Sequence, residues 1–137
     1  MTEVIKSLAD ISDRYDALFV DLWGCVHNGI KAFSSANESL KKYRYQGGKV
    51  VLVTNSPRPR SGVEKQLTKF GVDFEAWDLI ATSGDSARMA MFRGVVGSKI
   101  YFIGTPFEEN FFEPLNVVND PVNICLLYTS PGPRDVP

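Results

Sequence analysis

The sequence predicts an α/β fold built on a parallel sheet, and two observations predict it. Short apolar runs at 17–21, 49–53, 79–82 and 100–103 alternate with stretches of helical period. The first three runs are closed by a polar residue, Asp21, Thr54 and Thr82, and the fourth by Gly104, with turn-forming residues behind each. Strands that alternate with helices pair in parallel through crossover helices. Runs apolar throughout suit strands covered on both faces.

In chain order, residues 3–13 carry Val4, Ile5, Leu8 and Ile11 at helical spacing and predict a short amphipathic helix. Ala17-Leu18-Phe19-Val20-Asp21 reads as a short buried strand that ends on a carboxylate, with Gly24, Asn28 and Gly29 turning the chain behind it. Ser35 and Glu38 have the spacing of a capping box, so a helix is expected from there to about Gln46, stopped by Gly47-Gly48. Lys49–Val53 reads as a second buried strand, closed by Thr54-Asn55-Ser56. Pro57 and Pro59 can open a helix, Val63, Leu67 and Phe70 give it an apolar stripe, and Gly71 ends it. Leu79–Thr82 is a third strand, and Ser83 can cap a helix to about Phe92 with Asp85 in its first turn. Ile100–Ile103 is a fourth strand, and Val122–Leu127 reads as a fifth after a cluster of Phe107, Phe111 and Phe112 that reads as core.

Composition narrows the function. A net charge of −1 offers no broad basic face to nucleic acid or an anionic membrane. No apolar run approaches the about 20 residues that span a bilayer, and the first residues lack a signal-peptide core. Cys25 and Cys125 stand alone, without a disulfide framework or a clustered metal motif, and the expected compartment is a reducing cytoplasm.

The chemistry is expected where two strand ends meet. Asp21 closes the first strand and Thr54-Asn55-Ser56 the second, one βα unit later, so both belong on the carboxyl edge of the sheet. A carboxylate there can attack phosphorus and form an aspartyl-phosphate. A Mg²⁺ ion would offset the repulsion between that anion and a phosphate. A hydroxyl and loop N–H groups would hold the non-bridging oxygens. The same residues have plainer readings: Asp21 as a turn carboxylate, Thr54 as a strand residue, Asn55 and Ser56 as turn formers.

Three stretches in this order, 15–29 (Tyr-Asp-Ala-Leu-Phe-Val-Asp-Leu-Trp-Gly-Cys-Val-His-Asn-Gly), 51–59 (Val-Leu-Val-Thr-Asn-Ser-Pro-Arg-Pro) and 80–89 (Ile-Ala-Thr-Ser-Gly-Asp-Ser-Ala-Arg-Met), resemble the haloacid-dehalogenase-like (HAD) superfamily, subclass IIA, with its nagD-like and p-nitrophenyl-phosphatase-like enzymes. The resemblance covers about residues 14–105. It implies a Rossmann-like HAD core with a parallel sheet, incomplete at the C-terminus, and a Mg²⁺-dependent phosphatase acting on small phosphorylated metabolites. It implies that Asp21 is the nucleophile and a Mg²⁺ ligand, that Thr54 binds phosphate with Asn55 beside it, and that the backbone carbonyl of Trp23 is a second Mg²⁺ ligand. The family usually carries its general acid/base as an aspartate two residues after the nucleophile, where this chain has Trp23. Indole cannot shuttle a proton. His27 is the substitute proton donor in view, against the plainer reading of a locally hydrogen-bonded loop histidine. Trp23 reads as a packing wall or a surface for a substrate ring.

The expected organisation is the N-terminal part of a HAD-like core over 1–105, the start of a cap domain over 106–126, and a non-native or disordered tail over 127–137, where Leu-Leu-Tyr-Thr-Ser-Pro-Gly-Pro-Arg-Asp resembles a translated sequencing adapter. The family's later lysine and acidic motifs do not occur after residue 105, so these 137 residues alone are expected to be inactive. Two other readings compete. One is a non-catalytic phosphate- or metabolite-binding module. The other is a receiver-like switch, which the position of Asp21 on the first strand disfavours.

Overall fold

The computed structural model describes residues 4–103, 111–113, 118–119 and 126–129. The chain forms two compact units, one from residues 1–54 and 64–81, the other from 55–63 and 82–137.

In the first unit, β1 (Ala17–Asp21), β2 (Lys49–Thr54) and β3 (Leu79–Thr82, whose last residue is assigned to the second unit) form a sheet in the order β1-β2-β3. β1 and β2 run parallel, with Ala17 opposite Lys49 and Asp21 opposite Val53. The connection between them is α1 (Ser34–Tyr45), the crossover helix that a parallel pair needs. The pleat divides the strands into two faces. Val50, Leu52 and Ile80 are buried with Leu40, Tyr43, Leu67 and Phe70. Phe19 and Leu79, by contrast, are 77% and 55% exposed.

That contrast corrects the expectation of strands covered on both faces. Among the described residues β1 pairs with β2 alone, and its alternate positions Ala17, Phe19 and Asp21 are exposed, so the apolar composition of the strand does not translate into burial on that face. Three further expectations are revised. The helix over 3–13 is instead two 3₁₀ turns, Leu8–Asp10 and Ser12–Arg14. A capping box between Ser7 and Asp10 starts the first turn in the middle of the expected helix, and Ile11 (φ −132°) leaves helical geometry immediately after it. The capping box at Ser35 does not form. The N-cap of α1 lies two residues earlier, at Phe33, with no side-chain cap. The start is set from outside the helix, by the Phe33 N–H donating to the Val26 carbonyl at 2.8 Å. α3 (Ser83–Phe92) is capped by Thr82 rather than Ser83.

α2 (Arg60–Phe70) carries the expected stripe, with Val63, Leu67 and Phe70 all buried, and Gly71 beyond it takes the left-handed φ of +81°.

The fourth predicted strand does not extend the first sheet. β4 (Lys99–Ile103) pairs in parallel with β5 (Val118–Asn119) and β6 (Leu126–Thr129), in the order β5-β4-β6. Both hydrogen-bonding edges of β4 are thus taken within its own sheet. β6 lies at the end of the predicted fifth strand and includes the first residues of the stretch set aside as a tail. Phe111 and Phe112 meet edge to face, and Phe112 likewise meets Phe102. The placements expected for Phe107, Val122–Cys125 and residues 130–137 lie outside the described residues.

Candidate active site

Asp21 and Thr54 end adjacent parallel strands. Because Asp21 faces Val53 across a strand spacing of about 4.8 Å, Thr54 stands one residue further along the neighbouring strand, diagonally opposite Asp21. The pleat puts them on alternate faces, so a ligand held by both lies above the carboxyl edge of the sheet. The Asp21 carboxylate is exposed, and its Oδ1 accepts the Leu22 N–H at 2.7 Å. Thr54 is buried, and Asn55 directly after it is exposed.

The loop after Asp21 is heavily cross-linked. The Leu22 carbonyl accepts N–H groups from Cys25, Val26 and His27, and Gly24 N–H donates to the His27 carbonyl at 2.9 Å. Asn28 Oδ1 accepts from Ile30 and Lys31 N–H, closing an Asx turn.

His27 is 2% exposed, packed between Trp23 (ring centroids 5.7 Å, edge-on) and Phe70 (4.9 Å). Its Nδ1 accepts the Gly29 N–H at 3.0 Å, which leaves the proton of the neutral ring on Nε2. Burial pushes its pKa down, and the nearby Asp21 charge offsets this only in part. The ring therefore sits inside the loop, neutral at neutral pH.

Trp23 is 47% exposed. Its indole lies against Gly29, where any Cβ would overlap the ring, and Gly29 takes a φ of +85°. Cys25 is exposed rather than packed.

The residues present fit a Mg²⁺ ion in part. The Asp21 carboxylate and the Trp23 carbonyl are hard oxygen donors of the kind Mg²⁺ takes, with substrate oxygens and water completing its shell. Among the described residues no group of three or more His, Cys, Asp or Glu gathers as a metal cluster, and no helix is long and apolar enough to cross a membrane.

The loop after Thr54 meets the third motif. Ser56 Oγ accepts the Arg58 N–H at 3.3 Å, and the Ser56 carbonyl accepts the Gly84 N–H at 3.1 Å. Asp85 Oδ2 accepts the backbone N–H of Arg60, the first residue of α2, at 3.1 Å. In the sequence Ser83-Gly84-Asp85 reads first as a helix cap, with a site role left open because the stretch follows a strand end; the contact of Asp85 with Arg60 has no local signal.

The profile of the haloacid dehalogenase-like hydrolases matches residues 18–117. This chain belongs to that family. Within it, the three motifs and the fold place it in the nagD-like subclass IIA. A haloacid dehalogenase-like hydrolase from Brucella suis 1330 is 40% identical and superposes with a TM-score of 0.77 over 86% of this chain and 44% of its own. A 4-nitrophenylphosphatase from Thermotoga maritima shares 22% identity at a TM-score of 0.67, over 87% of this chain and 46% of its own. A hypothetical protein from Pyrococcus horikoshii OT3, also 22% identical, superposes at 0.58 over 84% and 41%. At 22% identity the last two support the fold alone. The chain spans less than half the length of each of these three proteins. The search of curated proteins gives no match.

Proposed function

We propose that this HAD-like chain is the N-terminal part of a Mg²⁺-dependent phosphatase that acts on small phosphorylated metabolites through an aspartyl-phosphate. The observation that carries the reading is the register of β1 on β2, which puts Asp21 and Thr54 on neighbouring strand ends. An Asp21 carboxylate oxygen attacks phosphorus, and the bond from phosphorus to the leaving oxygen breaks. The leaving alkoxide then takes a proton from solvent, which the attacking water of the next step gives back. Water next attacks the phosphorus of the acyl phosphate, releasing inorganic phosphate and restoring the carboxylate. The Thr54 hydroxyl and the Asn55 backbone N–H hold the non-bridging oxygens through both steps. Asp21 and the Trp23 carbonyl would hold Mg²⁺, which supplies charge neutralisation when bound.

Proton delivery to the leaving group is the weak step. Trp23 has no transferable proton, and a buried, neutral His27 with Nδ1 already engaged suits bracing the loop better than donating a proton. General acid help is worth about 100- to 10,000-fold in rate. That loss supports a second reading, a phosphate-binding module without turnover. Residues 106–126 as the start of a cap domain, and a need for further core residues to complete the site, remain part of the proposal.

Trapping with beryllium fluoride and Mg²⁺ tests it. A complex at Asp21, lost in Asp21→Asn, is expected. No complex in the unaltered chain would overturn the nucleophile assignment. Mg²⁺-dependent hydrolysis of p-nitrophenyl phosphate by residues 1–137 would overturn the expected inactivity. In a longer protein, no complex would favour the binding module, and a complex without turnover would favour the switch.

A further inference from the structure

The loop that follows Thr54 contains two prolines, Pro57 and Pro59, which lack N–H groups and cannot anchor it by donation. Its anchors come from the third motif. Gly84 N–H donates to the Ser56 carbonyl at 3.1 Å. Gly84 also lies so close to the Pro57 and Arg58 carbonyls that any Cβ would overlap them. Asp85 reaches back to accept the Arg60 N–H at 3.1 Å, capping α2 from another helix. Asp85 is itself held, because its own N–H donates to Thr82 Oγ1 at 2.9 Å. Ser86 Oγ closes the junction on the Thr82 carbonyl at 3.1 Å. All these groups belong to one compact unit, 55–63 with 82–137.

From these contacts we infer that Thr82–Asp85 is a clamp that sets the conformation of the Asn55–Pro59 loop, and that Asp85 is a positioning residue for phosphate binding. The inference rests on the reading of Asn55 as a phosphate-binding residue and extends it. The loop bears the amide that meets the anion, and its two ends are tied at Ser56 and Arg60 by consecutive residues of one turn. A rigid amide cradle needs no reorganisation when the anion arrives. Untied, the same loop must be ordered on each binding event, which weakens affinity.

The test uses the 137-residue chain with Asp85→Ala and Asp85→Asn, compared by amide hydrogen exchange, thermal melting and inorganic phosphate affinity in the presence of Mg²⁺. Asp85→Ala is expected to speed exchange at Arg60 and Arg58 and to weaken phosphate binding by about tenfold, the scale of one charge-assisted hydrogen bond. Asp85→Asn keeps an acceptor oxygen and should recover most of both. Rescue by asparagine separates positioning from a general loss of fold, as does phosphate affinity compared at equal distance below each melting temperature. Unchanged exchange at Arg58 and Arg60 in Asp85→Ala would overturn the clamp. Faster exchange with unchanged phosphate affinity would overturn the positioning role. If the unaltered chain binds no phosphate while Asp85→Ala still speeds exchange, the clamp stands and the phosphate site is what fails.

Discussion

Arg44 grips Asp78 with two parallel hydrogen bonds, Nε to Oδ2 at 3.0 Å and Nη2 to Oδ1 at 2.9 Å. The pair fastens α1 to the start of β3, because Asp78 Oδ2 also accepts the Val50 N–H at 2.8 Å and Asp78 N–H donates to the Val50 carbonyl at 2.8 Å. Bidentate pairing of this kind is stronger than a single neutral hydrogen bond.

The first prediction concerns this pair. Arg44 and then the Val50 N–H hold the Asp78 carboxyl below the ordinary carboxylate range. A carboxyl that ionises more easily when folded stabilises the fold fully above its unfolded value, near pH 4. That contribution fades as pH falls through the lowered folded value. Asp78→Ala should cost about 2–3 kcal/mol at pH 7 and flatten the acid limb of stability against pH. Urea titrations between pH 2 and 7 check both. An acid limb as steep as in the unaltered chain would reject the assignment.

Gly29 underlies Trp23. Gly29→Ala adds a Cβ that overlaps the indole and places a side chain at φ +85°. The expected loss is about 1–2 kcal/mol from the backbone alone, with further loss as the ring is displaced. Acrylamide quenching of Trp23, read in a Trp77→Phe background, should rise.

His27 supports the same loop from inside. His27→Ala removes a buried ring and the acceptor of the Gly29 N–H, for an expected loss of about 2–4 kcal/mol. His27→Asn keeps an acceptor near the Nδ1 position and should lose less. Equal losses in the two variants would show that packing alone sets the role of the ring.

Tyr43 is buried, and its hydroxyl donates to the Tyr15 carbonyl at 2.7 Å, linking α1 to the approach to β1. Tyr43→Phe should cost about 1 kcal/mol. Gly48→Ala should cost more, since a Cβ at Gly48 overlaps the Tyr43 ring. Thermal melts rank the two, and the reverse order would contradict the packing described.

The placement of the candidate site's two strand ends is legible in the residues. Asp21 and Thr54 could be located because apolar runs end at them and one βα unit separates them, which forces the two ends to one edge of a parallel sheet. The surroundings were not legible. Nothing local distinguishes a buried loop histidine from an exposed one, and the burial of His27 depends on Phe70, which arrives from α2. Asp85 was placed on the correct helix, yet its carboxylate serves the neighbouring helix, a partner remote in the chain. The capping box at Ser35 failed for the same reason: Val26 sets the helix start through Phe33.

The sequence by itself determined the alternation of strand and helix, the parallel pairing of β1 with β2, and the two strand ends where chemistry is expected, because periodicity and turn residues act over a few positions. Only the tertiary structure decided which apolar strand positions are covered, that β4 takes its partners in a separate sheet, and that His27, Gly84 and Asp85 hold loops in place. Burial and hydrogen-bond partnership are set by groups distant in the chain, and no local pattern encodes their arrival.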